Sequence, residues 1–192
     1  MRFSALGVVF ILSAVSFAAA AQPESGDSYI GGQYASVGYD EDGFPEVEPS
    51  ALVLRGGQFI NDNFAIEGRF GFGLSDDSAA TNINGYDVDV AIDIKRIFGV
   101  YGKGYLPVND VFGVYGVFGF TDAKLEATAS NGSVSETVSQ SDSGFSYGIG
   151  FDVFVKDSLS VNGEYMSYLD ESGYTADALS FGGSLHFEPG SF

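Results

Sequence analysis

The sequence has no cysteine and no tryptophan, and only one histidine among its 192 residues. Without cysteine the chain forms neither disulfides nor thiolate metal sites, so an exported protein of this sequence must be stabilised by other means. Positive charge is also scarce, because 8 Lys and Arg stand against 26 Asp and Glu. Phosphate binding along nucleic acid needs clustered Lys and Arg, so we expect no nucleic-acid partner.

Long hydrophobic runs are absent except at the start of the chain. There, Arg2 precedes an apolar run at 5–17 and four alanines. A basic start, a short apolar segment and small residues predict a secretory signal peptide, residues 1–21. An N-terminal membrane anchor is the weaker alternative, because a span needs about 20 apolar residues. The remaining domain, residues 22–192, has 7 basic and 26 acidic residues, a net charge of −19.

Glycine and aromatic residues are abundant, with 27 Gly, 18 Phe and 11 Tyr. Large apolar residues alternate with small or polar ones, which is the pattern of a half-buried β-strand. Between Asn63 and Leu74, for example, the large apolar residues take even positions, while Glu67 and Arg69 take odd ones. This alternation predicts eight strands, at residues 28–39, 51–60, 63–74, 86–106, 111–126, 144–155, 158–168 and 177–187.

The connections between these strands alternate in length. Three are tight turns, at 61–62, 107–110 and 156–157. The other four are predicted to be long, polar, acidic loops, at residues 40–50, 75–85, 127–143 and 170–177. An even strand number with short turns at one end and long loops at the other is typical of bacterial outer-membrane barrels.

The two faces of the strands distinguish a membrane barrel from a soluble one. A face of Gly, Ser and charges cannot form a dry apolar core, because an unpaired buried charge costs several kcal/mol. We therefore predict an all-β fold, an eight-stranded antiparallel up-and-down transmembrane β-barrel with its apolar face in lipid. An eight-stranded lumen is just wide enough for side chains to fill.

We expect an ion-pair network to plug this lumen. Its members share one parity along the strands and are Arg55, Glu67, Arg69, Asp87, Asp89, Asp93, Lys95, Lys103, Asp152 and Glu164. Arg96 falls on the lipid-facing parity, so we predict that it lies near an interface or at a local bulge.

In strand pattern, turn pattern and the placement of Arg55 and Glu67, residues 28–187 resemble the outer membrane protein A-like family of small eight-stranded β-barrels. The resemblance implies a Gram-negative outer membrane and a barrel-assembly machinery that reads alternating apolar residues and a final aromatic residue. The matching residues are Leu179, Phe181, Leu185, Phe187 and Phe192. Either of the last two residues can serve as the final aromatic residue.

A catalytic site is the less favoured interpretation of the polar residues. Outer-membrane lipid A deacylases and palmitoyltransferases resemble this architecture and use a His with a Ser, which draws attention to Ser184 and His186. No third partner is visible, and triads are recognised by geometry. The carboxylates of Asp87, Asp89 and Asp93 could serve as the acid and base of a glycosidase. Their spacing, however, is the one that any polar strand face produces. We expect no catalytic residue, no cofactor and no metal site.

The predicted function is a non-enzymatic outer-membrane barrel that supports envelope integrity and displays acidic surface loops. Its expected partners are outer-membrane lipid and lipopolysaccharide, and it is expected to be a monomer; the sequence does not identify the ligand of the loops. A small porin with a narrow channel is the alternative. A lipid-A-modifying enzyme is the third possibility and depends on His186 alone.

Overall fold

The computed structural model of the protein describes residues 22–41, 48–83, 86–131, 134–171 and 174–188. The strands are β1 (Ser28–Glu41), β2 (Ser50–Asn61), β3 (Phe64–Ser75), β4 (Asp77–Ile83), β5 (Tyr86–Asn109), β6 (Phe112–Asn131), β7 (Val134–Lys156), β8 (Leu159–Glu171) and β9 (Tyr174–Phe187). None of the described residues belongs to a helix long and apolar enough to cross a membrane.

The strands form one closed antiparallel barrel. Each strand from β5 to β9 pairs with the next, β9 pairs with β1, and β1 to β3 continue the order. Pairing of β3 with β5 closes the circle, while β4 continues β3 after Asp76 and pairs with the outer half of β5. Because β3 and β4 are two parts of one stave, the barrel has eight staves, which confirms the predicted fold class.

The alternation along each strand separates an apolar outer face from a buried inner face. In β3 the residues are alternately exposed and buried from Phe64 to Phe72. On β6, Phe118 and Phe120 point outward and are 59% and 62% exposed. Exposed aromatic rings at this density are stable only against lipid, so the outer face is the lipid-facing surface.

Three of the four predicted loops are wrong, because strands continue through most of them. Residues 77–83, 127–131 and 134–143 are strand, and β8 and β9 extend to 171 and from 174. The polar composition of these segments indicates loops. The hydrogen-bonded ladder between β4, β5, β6 and β7 nevertheless continues through them. No lipid contacts the sheet there, so the sequence does not need to alternate between apolar and polar residues. With 24, 20 and 23 residues, β5, β6 and β7 far exceed the roughly 9–11 residues of a membrane span.

We call this projecting sheet the outer extension, comprising residues 77–83, 86–96, 122–131 and 134–146. It lies at the end opposite the tight turns. In barrels of this class the short turns face the periplasm and the long end faces the outside. The remaining predicted loop, 40–50, falls mainly outside the described residues, since β1 ends at Glu41 and β2 begins at Ser50.

The lumen is filled in three layers rather than with polar groups alone. Near the tight turns lies an aromatic layer that includes Phe59, Tyr105 and Phe154. The middle holds charged residues, described below. Toward the outside lies the outer apolar layer, a set of side chains around a cavity of about 30 Å³. Its members are Val37, Pro49, Ile92, Ile94, Ile97, Thr121, Ala123, Leu125, Tyr168 and Ala176.

Candidate functional site: an ion-pair cluster in the lumen

Six charged side chains from five staves meet in the middle of the lumen, and we call them the central cluster. They are three cations and three carboxylates: Arg55, Arg69, Lys103, Glu67, Asp152 and Glu164. Each residue is at most 3% exposed. The structure therefore brings together six of the predicted lumen residues in an electroneutral group, which is the composition that makes burial of charge tolerable.

Arg69 connects opposite walls of the lumen. Its Nε lies 2.6 Å from Glu67 Oε1, two residues away on β3. Its Nη2 donates to Glu164 Oε2 at 2.8 Å, and Nη1 donates to the other oxygen of the same carboxylate. This bidentate pairing joins β3 to β8, which are separated by three staves around the barrel. A fork of this kind is both stronger and more directional than a single ion pair.

Asp152 is held between the other two cations. Lys103 Nζ lies 3.1 Å from Asp152 Oδ2, and Arg55 Nη2 lies 3.5 Å from Asp152 Oδ1. Arg55 Nη1 also approaches Glu67 at 4.0 Å and Glu164 at 3.9 Å. Every carboxylate of the cluster thus faces at least two cations, so the loss of one cation leaves a buried negative charge.

Tyrosine rings complete the cluster. Lys103 Nζ lies 3.9 Å from the centroid of the Tyr115 ring, and the Arg69 guanidinium carbon lies 4.8 Å from that of Tyr101. Cations over aromatic faces gain about 0.5–2 kcal/mol, with the larger values in desolvated sites. The hydroxyl of Tyr29 also donates to a carboxylate oxygen of the cluster, at 2.5 Å.

These tyrosines were not among the predicted lumen residues. Tyr29 faces Gly57 on the neighbouring strand, and Tyr115 faces Gly150. A Cβ at Gly57 would lie 2.6 Å from the Tyr29 ring, and one at Gly150 would lie 2.5 Å from the Tyr115 ring. A glycine is therefore required opposite each ring. Inward Tyr and Gly residues are visible in the sequence, but their pairing depends on the register between strands.

Asp93 and Lys95 lie outside the central cluster, contrary to the prediction. The register between β5 and β6 shifts between Ile94 and Arg96, and this bulge reverses the alternation beyond it. Ile94 therefore points into the outer apolar layer, 2% exposed. The Lys95 side chain, 41% exposed, pairs instead with Asp93 at 2.6 Å and with Glu126 at 3.0 Å.

The remaining lumen predictions fall partly outside the described residues. The side chains of Asp87 and Asp89 belong to this group, although their backbone lies in β5. The bulge itself confirms the prediction made from the parity of Arg96, which lies on the outer face and pairs with Asp122.

The histidine contacts a serine other than Ser184, the one that the less favoured catalytic interpretation would pair with it. His186 Nε2 lies 3.0 Å from Ser160 Oγ, whereas Ser184 Oγ accepts from Arg55 Nη2 at 3.0 Å. Ser160 is fully buried, and its hydroxyl also donates to Asp152 Oδ1 at 3.3 Å. A nucleophile must reach its substrate, so this Ser–His contact lacks the access that acyl transfer needs. Among the described residues, no three His, Cys, Asp or Glu side chains form a group that could hold a metal ion.

The residues predicted to signal assembly lie at the last stave. Leu179, Phe181 and Leu185 point outward from β9 and are about half exposed. Phe187 is the final residue of β9, at the tight-turn end, and Phe192 lies outside the described residues. An outward apolar row on the final strand is the arrangement that the resemblance implied.

Solved structures share this fold. Ail, the attachment invasion locus protein of Yersinia pestis, is 19% identical, with 85% of this chain and 99% of Ail covered and a TM-score of 0.61. Neisserial surface protein A is 15% identical, with coverages of 85% and 100% and a TM-score of 0.55. OprG from Pseudomonas aeruginosa is also 15% identical, with coverages of 86% and 97% and a TM-score of 0.55.

A search of curated proteins gives no match to the chain. The family model described as "Outer membrane protein beta-barrel domain", by contrast, matches residues 8–187. That range includes every stave of the barrel. The chain therefore belongs to the outer membrane protein β-barrel domain family, and it is a transmembrane barrel of the Gram-negative outer membrane.

Proposed function

We propose that this protein is a closed, non-enzymatic outer-membrane barrel that supports envelope integrity and presents an acidic surface to the outside. The central cluster is the observation that carries the proposal. Its six side chains cross the lumen and are almost completely buried. An ion that entered would have to displace bidentate and multiply paired groups, at a cost that an open channel does not impose.

The first test is single-channel conductance of residues 22–192, refolded and inserted in a planar bilayer. Insertion is verified separately by protease protection. Silence from inserted protein is the expected result, because the central cluster fills the lumen. Discrete, reproducible steps would overturn the closed-barrel proposal and establish the narrow-porin alternative. The double variant Arg69→Ala with Glu164→Ala removes the bridge between β3 and β8, and serves as the positive control for an opened lumen.

The acidic surface is the outer extension. By sequence, its strand segments carry eight carboxylates and three cations. Such a surface attracts cationic partners and repels polyanions over distances of about a Debye length, 8 Å at physiological salt. A strain that lacks the protein should become more sensitive to detergent with chelator. The full chain should restore resistance in this strain. If a chain with its outer carboxylates changed to amides restores resistance equally well, envelope support does not depend on the acidic surface.

The proposal of a non-enzymatic role rests on the burial of Ser160 beside His186. His186→Ala should leave the acyl pattern of lipid A unchanged in mass spectra of whole cells. An altered pattern would instead revive the lipid-modifying enzyme.

We also infer that residues 1–21 are removed on export and that the barrel-assembly machinery reads β9. N-terminal sequencing of protein from outer membranes should start at Gln22. Comparison of Phe187→Ala with Phe192→Ala, by the yield of folded barrel in cells, identifies the aromatic residue that the machinery reads.

We propose that the folded barrel is a monomer. Light scattering of the detergent-solubilised protein measures its mass and tests this proposal.

A further inference from the structure

The inner face of the outer extension is apolar. It continues the outer apolar layer, because Ile92 and Ile94 on β5 both line the cavity of about 30 Å³. The register from β5 through β6 to β7 places further apolar residues beside Ile92 and beyond it on the same face. We call this set the inner patch, and its members are Val90, Ile92, Ala127, Ala129 and Val138.

The inner patch is not covered by other described parts of the chain. Val138 is 65% exposed, and Ala127 and Ala129 are exposed as well. On β5, Val90 and Ile92 are partly exposed. The patch faces the barrel axis beyond the lipid-facing surface, so the bilayer does not cover it. The apolar face of a sheet is normally buried against another element, and an exposed apolar patch with a polar rim marks an interaction site.

Charge differs between the two faces of the outer extension. By sequence the extension has three cations, and all of them lie on the outward face, beside carboxylates of that face. These outward groups are Lys95, Arg96 and Lys124 with Asp93, Asp122 and Glu126. The inner face therefore has no cation to neutralise its own carboxylates.

Two of those carboxylates flank the inner patch. Asp77 on β4 pairs with Ile92, and Glu136 on β7 pairs with Ala129. The Asp77 carboxylate accepts hydrogen bonds from two backbone N–H groups, each at 2.9 Å, and both donors are uncharged. Within the described ranges, no Lys or Arg forms an ion pair with Asp77 or Glu136. The patch is thus an apolar surface between two negative edges.

We propose that the inner patch binds a cationic amphipathic helix of a partner polypeptide outside the cell. A strand spacing of about 4.8 Å makes the four-stranded face about 14 Å wide, enough for a helix about 10 Å in diameter. The apolar side chains of the helix cover the patch, and its Lys and Arg side chains lie toward Asp77 and Glu136. A second copy of this acidic chain would instead bring like charges together. The inference rests on the acidic surface proposed above and deepens it, and it does not depend on a closed lumen.

The test uses a synthetic Lys/Leu peptide of about 14 residues, four helical turns, with every Leu on one face of the helix. Its binding to residues 22–192, refolded in nanodiscs of neutral phospholipid, is measured against empty nanodiscs. We expect saturable binding that weakens as salt is added. A peptide of the same composition in scrambled order should bind about tenfold more weakly, because it has no apolar face to bury. The corresponding Glu/Leu peptide should not bind.

Substitutions on the two faces of β7 test the position of the patch. Val138→Thr keeps the branched shape and should weaken binding about fivefold, because a hydroxyl replaces a methyl group in the contact. Thr137→Val, on the opposite face of the same strand, is the matched control and should leave the affinity unchanged. The double variant exchanges the two side chains at constant composition, so it should bind as weakly as Val138→Thr alone.

A second pair of variants tests the charge of the rim. Glu136→Gln should weaken binding about threefold, the range of an exposed ion pair, and should reduce the salt dependence. Asp110→Asn removes one carboxylate at the tight-turn end and should change neither quantity.

The outcomes separate this inference from the acidic surface on which it rests. Equal binding of the amphipathic and scrambled peptides would overturn the inference and leave the acidic surface standing, because charge alone would then be recognised. Binding of neither peptide would overturn both. Displacement of the peptide by uncharged indole at equal concentration would show that the patch takes any apolar molecule. A dimer of the free barrel that Val138→Thr dissociates would show that a second copy covers the patch, and either result would overturn the inference.

Discussion

The central cluster and the outer apolar layer occupy the same inner face of the same barrel, yet they are stabilised in opposite ways. In the central cluster three cations meet three carboxylates under tyrosine rings. In the outer apolar layer, Ile94 and Ile97 pack against Ala123 and Tyr168 around a cavity of about 30 Å³. Both regions exclude solvent. The polarity of a lumen is therefore decided layer by layer, and not by the inward parity of the strands alone.

The bulge beside Lys95 is the cause of the difference on β5. Below it, odd residues such as Tyr101 and Lys103 point inward. Above it, Ile94 takes the inward position and Asp93 the outward one. One extra residue thus replaces a row of charges with a row of isoleucines. The charged side chains of Asp93 and Lys95 stay in contact with solvent, so their ion pairs carry little desolvation cost.

The largest expected effect comes from breaking the central cluster. Arg69→Met leaves Glu67 and Glu164 buried without their main cation. Removal of one member of a buried ion pair costs about 3–5 kcal/mol. Urea unfolding in lipid vesicles should show a decrease of that size in the free energy of unfolding. Replacing Arg69 and Glu164 together with apolar residues of similar volume should recover most of it, since the two remaining cations then face two carboxylates, Glu67 and Asp152.

The contribution of the outer apolar layer to stability should depend on side-chain volume and not on charge. Ile94→Ala removes buried methyl groups beside the existing cavity and should cost about 2–4 kcal/mol in the same unfolding measurement. Val100→Ala on the lipid-facing side, where the residue is 52% exposed, is the control. Lipid replaces the lost contacts there, so its effect should be much smaller. Equal losses from the two variants would show that the outer layer is not packed.

Tyr101 lies at the boundary between the central cluster and the outer apolar layer, and its hydroxyl forms a hydrogen bond there. Tyr101 Oη lies 2.6 Å from Thr121 Oγ1, while its ring lies under the Arg69 guanidinium. Tyr101→Phe keeps the ring and should cost about 0.5–1.5 kcal/mol. Tyr165→Phe, which loses an exposed hydrogen bond to Asp177, should change the free energy of unfolding by less. A larger loss from Tyr165→Phe would contradict this assignment.

The smallest effect concerns the ion pairs above the bulge. Hydrogen bonds from Lys95 and then from Ser139 lower the pKa of Glu126 below its usual 4.5. Hydrogen bonds to Asp93 and then to Glu126 raise the pKa of Lys95 above its usual 10.5. The contribution of Glu126 is therefore lost as pH falls through its lowered pKa, and that of Lys95 as pH rises through its raised pKa. In Lys95→Met, an NMR titration should show the pKa of Glu126 moving up toward 4.5, with thermal stability almost unchanged.

Much of this architecture can be predicted from alternation alone. The period-2 pattern around Glu67 and Arg69 indicates both the lipid-facing side and the inward side, and the tight turns fix the stave number. Alternation fails where both faces of a strand meet water, as in residues 134–143, because solvent imposes no pattern there. The polar sequence of that segment is compatible with either loop or strand.

The inward face was only partly predictable for a related reason. The chain from Tyr86 to Lys95 alternates without interruption, so nothing before Arg96 signals that Ile94 points inward. To predict a contact such as that of Arg69 with Glu164, one must know the order of the staves around the barrel. To predict the Tyr–Gly pairs, one must also know the register between neighbouring strands. Parity selects the candidates for the central cluster, whereas the closed sheet decides which of them meet.

The most direct test of the layered lumen is exchange of the Arg69 Nε–H proton with water, measured by NMR on protein in nanodiscs at neutral pH. The account predicts a visible, slowly exchanging signal, because Arg69 is 1% exposed and its Nε–H is held by Glu67 at 2.6 Å. It also predicts that Arg69→Lys abolishes the signal without shifting the backbone resonances of residues 134–143, which lie in the outer extension away from the central cluster. Exchange at the rate of a solvent-exposed arginine would mean that water reaches the central cluster freely, and it would contradict the closed barrel.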